Sequence, residues 1–128
     1  MAETEKITIN LSVVDLGKID LSVEQGFYSN RSDFIRTAIR NQLNIHAEAL
    51  DQTAVRKHIV IGVLIYGRRE LEERRAAGEQ LDMRVVGLVT LANDVTPELA
   101  LATIRSLKVY GVLRASQAVR DALGERIQ

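Results

Sequence analysis

The sequence predicts an α/β fold in two parts. Three observations carry that reading: residues 6–11 alternate strictly and lead into two amphipathic helical stretches; a glycine-centred apolar decapeptide recurs three times after residue 57; and a helical segment follows each recurrence. Period-two alternation marks a half-buried strand, whereas apolar spacings of three and four mark a helix. The expected division is a recognition module at residues 1–50, a connection at 51–57 and a domain of three strand-helix units at 58–128.

In KITINL, Ile7, Ile9 and Leu11 share one face, and Lys6, Thr8 and Asn10 share the other. So short a strand with one apolar face has no partner in its own sequence and requires a second copy of the chain. On the polar face, a cation and two short polar groups recur about every 7 Å. That spacing suits the base edges of a DNA major groove, which admits a two-stranded ribbon. From Ser12 the spacing becomes helical, with Ser12 as N-cap, Leu16, Ile19 and Val23 on one face, and Gly26 as the residue that ends the helix. A second helix opens at Asn30, with Asp33 at its third position as a capping-box variant, and its face comprises Ile35, Ala38, Ile39, Gln42 and Leu43. Gly17 costs the first helix about 1 kcal/mol relative to alanine. Helical spacing continues at Ile45, Ala49 and Leu50, then fades towards Lys57.

Through KITINL, the junction GFYSNRSDFIRTAIR and the spacing between them, residues 4–46 resemble the ribbon-helix-helix DNA-binding family of the Arc, MetJ and CopG type. The resemblance implies an intertwined homodimer whose paired strands enter the major groove of double-stranded DNA. On that implication Lys6, Thr8 and Asn10 read bases, and Ser29, Asn30, Arg31 and Ser32 hold a phosphate at the amino end of the second helix. Ile7, Ile9, Leu11, Leu16, Ile19, Val23, Ile35, Ala38, Ile39 and Leu43 then form the dimer core. Two features depart from the pattern. Ser22 stands where the family usually has an apolar residue, and an unpartnered buried hydroxyl would cost about 1 to 3 kcal/mol. Residues 1–46 also carry Lys6, Lys18, Arg31, Arg36 and Arg40 against Glu3, Glu5, Asp15, Asp20, Glu24 and Asp33. Phosphate neutralisation supplies much of DNA affinity, so a single dimer should bind weakly and several should gain by acting together.

The second part repeats. HIVIGVLIYG at 58–67, MRVVGLVTLA at 83–92 and LKVYGVLRAS at 107–116 share one register, which places Gly62, Gly87 and Gly111 at intervals of 24 or 25 residues. Helical segments RRELEERRAAGEQ, VTPELALATIRS and SQAVRDALGERI follow; Thr96 and Ser116 are caps, Pro97 takes a first helical position, and Glu70 and Arg74 stand at i, i+4. The period predicts parallel strands with helices on at least one face, either as short α/β repeats or as a compact sandwich of the small-molecule sensor type. Each glycine is expected where a helix or strand approaches closely. Two sheet edges would remain, and mostly aliphatic edges favour pairing with another protomer.

Chemistry is sparse. The chain has 128 residues, 46% of them hydrophobic, with 17 basic and 17 acidic side chains and no cysteine, so disulfides and thiolate metal sites are excluded. His46 and His58 lack i, i+4 spacing, which leaves a nickel-type site unsupported. No catalytic triad signature or phosphate-binding loop is present, and no apolar run of membrane-spanning length occurs. The expectation is a non-enzymatic transcriptional regulator without cofactor, cytoplasmic and nucleoid-associated, binding duplex DNA as a homodimer or higher oligomer. The alternatives are a DNA-organising protein that polymerises through its C-terminal repeats, and an antitoxin of a toxin-antitoxin pair.

Overall fold

The computed structural model describes residues 3–128. These form a mixed α/β chain that divides into two compact units, one of Thr4–Gln52 and one containing Thr53–Gln128.

In the first unit, α1 spans Val13–Glu24 and α2 spans Arg31–Ile45. Ser12 caps α1 by accepting a bond from the Asp15 amide at 3.1 Å, as its sequence position predicts. At the other end the Phe27 amide returns to the Ser22 carbonyl and the Gly26 amide to the Val23 carbonyl, with Gly26 at φ 83°. This double return is a Schellman closure, and the left-handed residue at its centre is where glycine costs least. The Ser22 hydroxyl donates to the Lys18 carbonyl at 2.9 Å, so the departure at that position leaves no unsatisfied group. Tyr28 and Phe34 meet edge to face at 4.8 Å and join the turn to α2.

Residues 51–56, within the expected connection, are helical. After a break at His46 the chain resumes as α3, Ala47–Arg56, because no glycine or proline interrupts it and Ala54 is buried. A second Schellman closure ends α3, with the Ile59 amide on the Ala54 carbonyl, the His58 amide on the Val55 carbonyl, and His58 itself at φ 55°. His58 thus serves as a helix terminator, a position that usually belongs to glycine.

The second unit holds a three-stranded parallel sheet in the order β1, β2, β3: Val60–Tyr66, Leu81–Leu91 and Ile104–Arg114. Helices α4 (Arg68–Ala76), α5 (Pro97–Thr103) and α6 (Gln117–Leu123) follow the strands in turn. Leu71 from α4, Leu99 and Ala100 from α5, and Val119 and Leu123 from α6 close one core with Val85, Val89 and Leu91 of β2. The helices therefore cover one face of the sheet. Thr96 and Ser116 cap α5 and α6 as expected. The segment read as helical to Ser106 ends at Thr103, whose hydroxyl donates to the Leu99 carbonyl at 2.7 Å, and the fully buried, β-branched Ile104 begins β3. Glu70 accepts from the Gly67 amide at the start of α4, while Arg74 turns to Glu79 at 3.0 Å, so the expected Glu70 and Arg74 pair gives way to a cap at the start of the helix and an ion pair beyond its end.

The three glycines stand side by side: Gly62 pairs with Gly87, and Gly87 with Gly111. All have positive φ, at 152°, 135° and 128°. A Cβ on Gly87 would lie 2.1 Å from the Gly62 carbonyl oxygen, and one on Gly111 would lie 2.2 Å from that of Gly87. Strand proximity is therefore the reason for the last two glycines.

Asp82, beside the register shift at the start of β2, accepts from the Arg105 guanidinium and from the Ser106 hydroxyl at 2.7 Å. The Arg105 hydrogen bond foremost, and the Ser106 one after it, hold the Asp82 carboxyl at about 2. That lies below the unfolded value of about 3.9, so the stabilisation is complete above roughly pH 4 and is lost as pH falls towards 2. Thermal unfolding should show a smaller acid-induced drop in Tm across that window for Asp82→Asn than for the parent. An equal drop would mean that Asp82 is not linked to folding.

Candidate nucleic-acid interface

In a single chain, residues 3–12 form no regular secondary structure, and both rows of KITINL are exposed. Lys6, Thr8 and Asn10 face solvent. The apolar row is exposed as well, with Ile7 at 74% and Ile9 at 56%. Of the residues expected in a dimer core, Ile19 is buried, Leu16, Val23 and Ile35 are half-buried, and Ile7, Ile9, Leu11, Ala38, Ile39 and Leu43 are exposed. So many exposed apolar side chains on so small a unit mark an interaction surface, because the folded chain gains nothing by leaving them in water.

The amino end of α2 is built locally. Asn30 Oδ1 accepts from the Asp33 amide at 2.8 Å, and Asp33 Oδ2 accepts from the Ser29 amide at 2.9 Å. The return bond falls one residue earlier than in a standard capping box, and it pins the turn that carries Ser29, Asn30, Arg31 and Ser32, all exposed. The amides of the first helical turn have no intrahelical acceptors, and with the helix dipole they make this end attractive to an anion.

Arg31 is engaged. Its guanidinium makes a two-pronged bond to Asp20 of α1, at 2.7 and 2.8 Å. The pairing holds the Asp20 carboxyl below the usual carboxylate range and raises Arg31. Residues eleven apart on different helices give no periodic signal, so this bridge is absent from the sequence reading. Asp20 offsets the charge of Arg31, and Asp33 adds a second carboxylate beside the α2 amino end. Freeing Arg31 should therefore strengthen DNA binding. Asp20→Asn in both copies of a dimer is expected to add up to two phosphate contacts and to steepen the slope of log K against log salt by about 2. Fluorescence anisotropy across a salt series reads this directly, and an unchanged slope would remove Arg31 from the interface.

No three histidine or carboxylate side chains come together as metal ligands among the described residues. No helix among them is long and apolar enough to cross a membrane.

A family model described as the ribbon-helix-helix transcriptional regulator family matches residues 2–120, taking in the C-terminal strands and helices as well as the module at residues 4–46. No curated protein and no solved structure matches the chain.

Proposed function

Because the chain belongs to the ribbon-helix-helix transcriptional regulator family, we propose that it is a sequence-specific DNA-binding regulator in which residues 6–11 of two copies pair as an antiparallel ribbon and enter the major groove. Lys6, Thr8 and Asn10 read base edges, and the α2 amino end, through Ser29, Asn30, Arg31 and Ser32, fixes the ribbon on the phosphates. The observation that carries the reading is the exposure of Ile7, Ile9 and Leu11 together with that of Ile39 and Leu43. Pairing two copies covers that row and leaves the polar row outward.

Charge limits one dimer. With five cations against six anions in residues 1–46, affinity must come from several dimers held together, a role that falls to the C-terminal unit. Titrating the full chain against duplex DNA while recording its mass by sedimentation tests the reading. The expected result is saturable, salt-sensitive binding by a species no smaller than a dimer, and binding by a monomer would end it.

The apolar β1 strand favours a second reading, a DNA-organising protein that polymerises through its repeats. Electron microscopy with and without DNA separates the two, since only the organiser forms continuous assemblies along DNA of any sequence. The C-terminal unit already has a closed core, so the antitoxin reading, in which a tail orders on its partner, gains no support from it.

A further inference from the structure

The two edges of the sheet differ. Residues 120–128 of the same chain meet β3 at three points: Ile127 bridges Leu107 and the Gln128 amide donates to the Leu107 carbonyl at 2.9 Å, Arg126 donates to the Ile104 carbonyl at 3.0 Å, and Arg120 reaches the Leu113 carbonyl. The edge of β1 has none of the usual safeguards. VIGVLIY contains no charge and no proline, and Val60, Ile61, Val63 and Ile65 are 50, 58, 51 and 67% exposed. A long, apolar, uncharged edge strand is a template for another strand, and proteins that keep such an edge unpaired blunt it.

Gly62 shows what belongs there. Gly87 and Gly111 take positive φ where a neighbouring backbone lies against them, and their Cβ positions fall on its carbonyls. Gly62 holds the same backbone conformation at φ 152°, yet its Cβ position points into open space beyond the sheet. The conformation that the ladder uses twice with a strand on the Cβ side is present a third time with no strand on that side among the described residues.

We infer that β1 pairs antiparallel with β1 of a second copy across a two-fold axis, joining two three-stranded sheets into one of six strands. The occupant is β1 and not β3, because the chain's own residues 120–128 already bond to the Ile104, Leu107 and Leu113 carbonyls, and head-to-tail growth through this sheet would have to displace them. A two-fold contact between identical edges is closed: it uses up both free edges at once. The inference deepens the self-association assigned above to the C-terminal unit and is independent of whether the ribbon forms.

Sedimentation of three full-length variants tests it. Ile9→Lys disables the ribbon, Val63→Lys places a charge in the β1 contact, and the third variant carries both substitutions. Both residues are exposed in the single chain, so none of the three should unfold, and circular dichroism checks this. The expected masses are a dimer for Ile9→Lys and a monomer for the double variant. A monomeric Ile9→Lys with its sheet intact overturns the inference, as does an open, concentration-driven series, which is head-to-tail growth. A dimeric double variant also overturns it. Val63→Lys should remain dimeric through the ribbon. If it is monomeric instead, the β1 contact stands and the ribbon reading falls, so the two failures are distinguishable. The chain has no cysteine, so Val63→Cys in the Ile9→Lys background should be joined to itself by a short bismaleimide in high yield. No cross-linked dimer would contradict the antiparallel pair.

Discussion

Gly87→Ala is expected to cost the C-terminal unit at least about 3 kcal/mol, a large share of the roughly 5–15 kcal/mol that holds a domain together. Two terms act together. A positive φ at a non-glycine residue costs about 1–3 kcal/mol. The new methyl would also stand 2.1 Å from the Gly62 carbonyl oxygen, a backbone atom that moves only if β1 and β2 separate. Gly17→Ala is the control, since nothing lies within 4 Å of that position in the exposed α1 helix, and it should gain about 1 kcal/mol. Urea unfolding followed by circular dichroism measures both. A loss below about 1 kcal/mol for Gly87→Ala would mean that the strands do not sit as close as the glycine ladder shows.

Asn10→Ala should cost about 1–3 kcal/mol per half-site on the DNA that the parent protein prefers, or roughly ten- to a hundredfold in each half. A dimer reads its site twice, so the penalty on a symmetric duplex is compounded. Binding to unrelated DNA should change little, because phosphate contacts supply it. Asn10 is exposed, so the variant should keep the parent's mass and unfolding profile. Equal losses on preferred and unrelated duplexes would move Asn10 from base reading to general affinity.

Features fixed by neighbours in the chain were legible in advance. The caps at Ser12, Asn30, Thr96 and Ser116 and the stop at Gly26 each depend on a few adjacent residues, and the structure places them as the sequence implies. The shared register of three glycines points to a helix or strand approaching closely, and at Gly87 and Gly111 the neighbouring strand does so. Features decided across space were not legible. Arg31 has a clear local part in a helix start, yet its partner Asp20 is on another helix. Ile104 reads equally well as the next turn of α5, and only its complete burial makes it the first residue of β3. Residues 51–56 lack a strong apolar period, and helix α3 persists there because Ala54 has a buried place to pack. The candidate interface divides in the same way. Alternation alone separates Lys6, Thr8 and Asn10 from Ile7, Ile9 and Leu11, whereas the charge balance of the α2 amino end depends on a bridge between helices.

The central claim is that a ribbon formed by residues 6–11 of two copies reads DNA sequence. Selection of duplexes from a random pool by the full-length protein, beside a variant carrying Thr8→Ala and Asn10→Ala, tests it most directly. The parent is expected to enrich one sequence with two-fold symmetric halves, and the variant to lose that enrichment while still retaining DNA at low salt. Enrichment of the same sequence by both proteins, or of none by the parent, would contradict the claim.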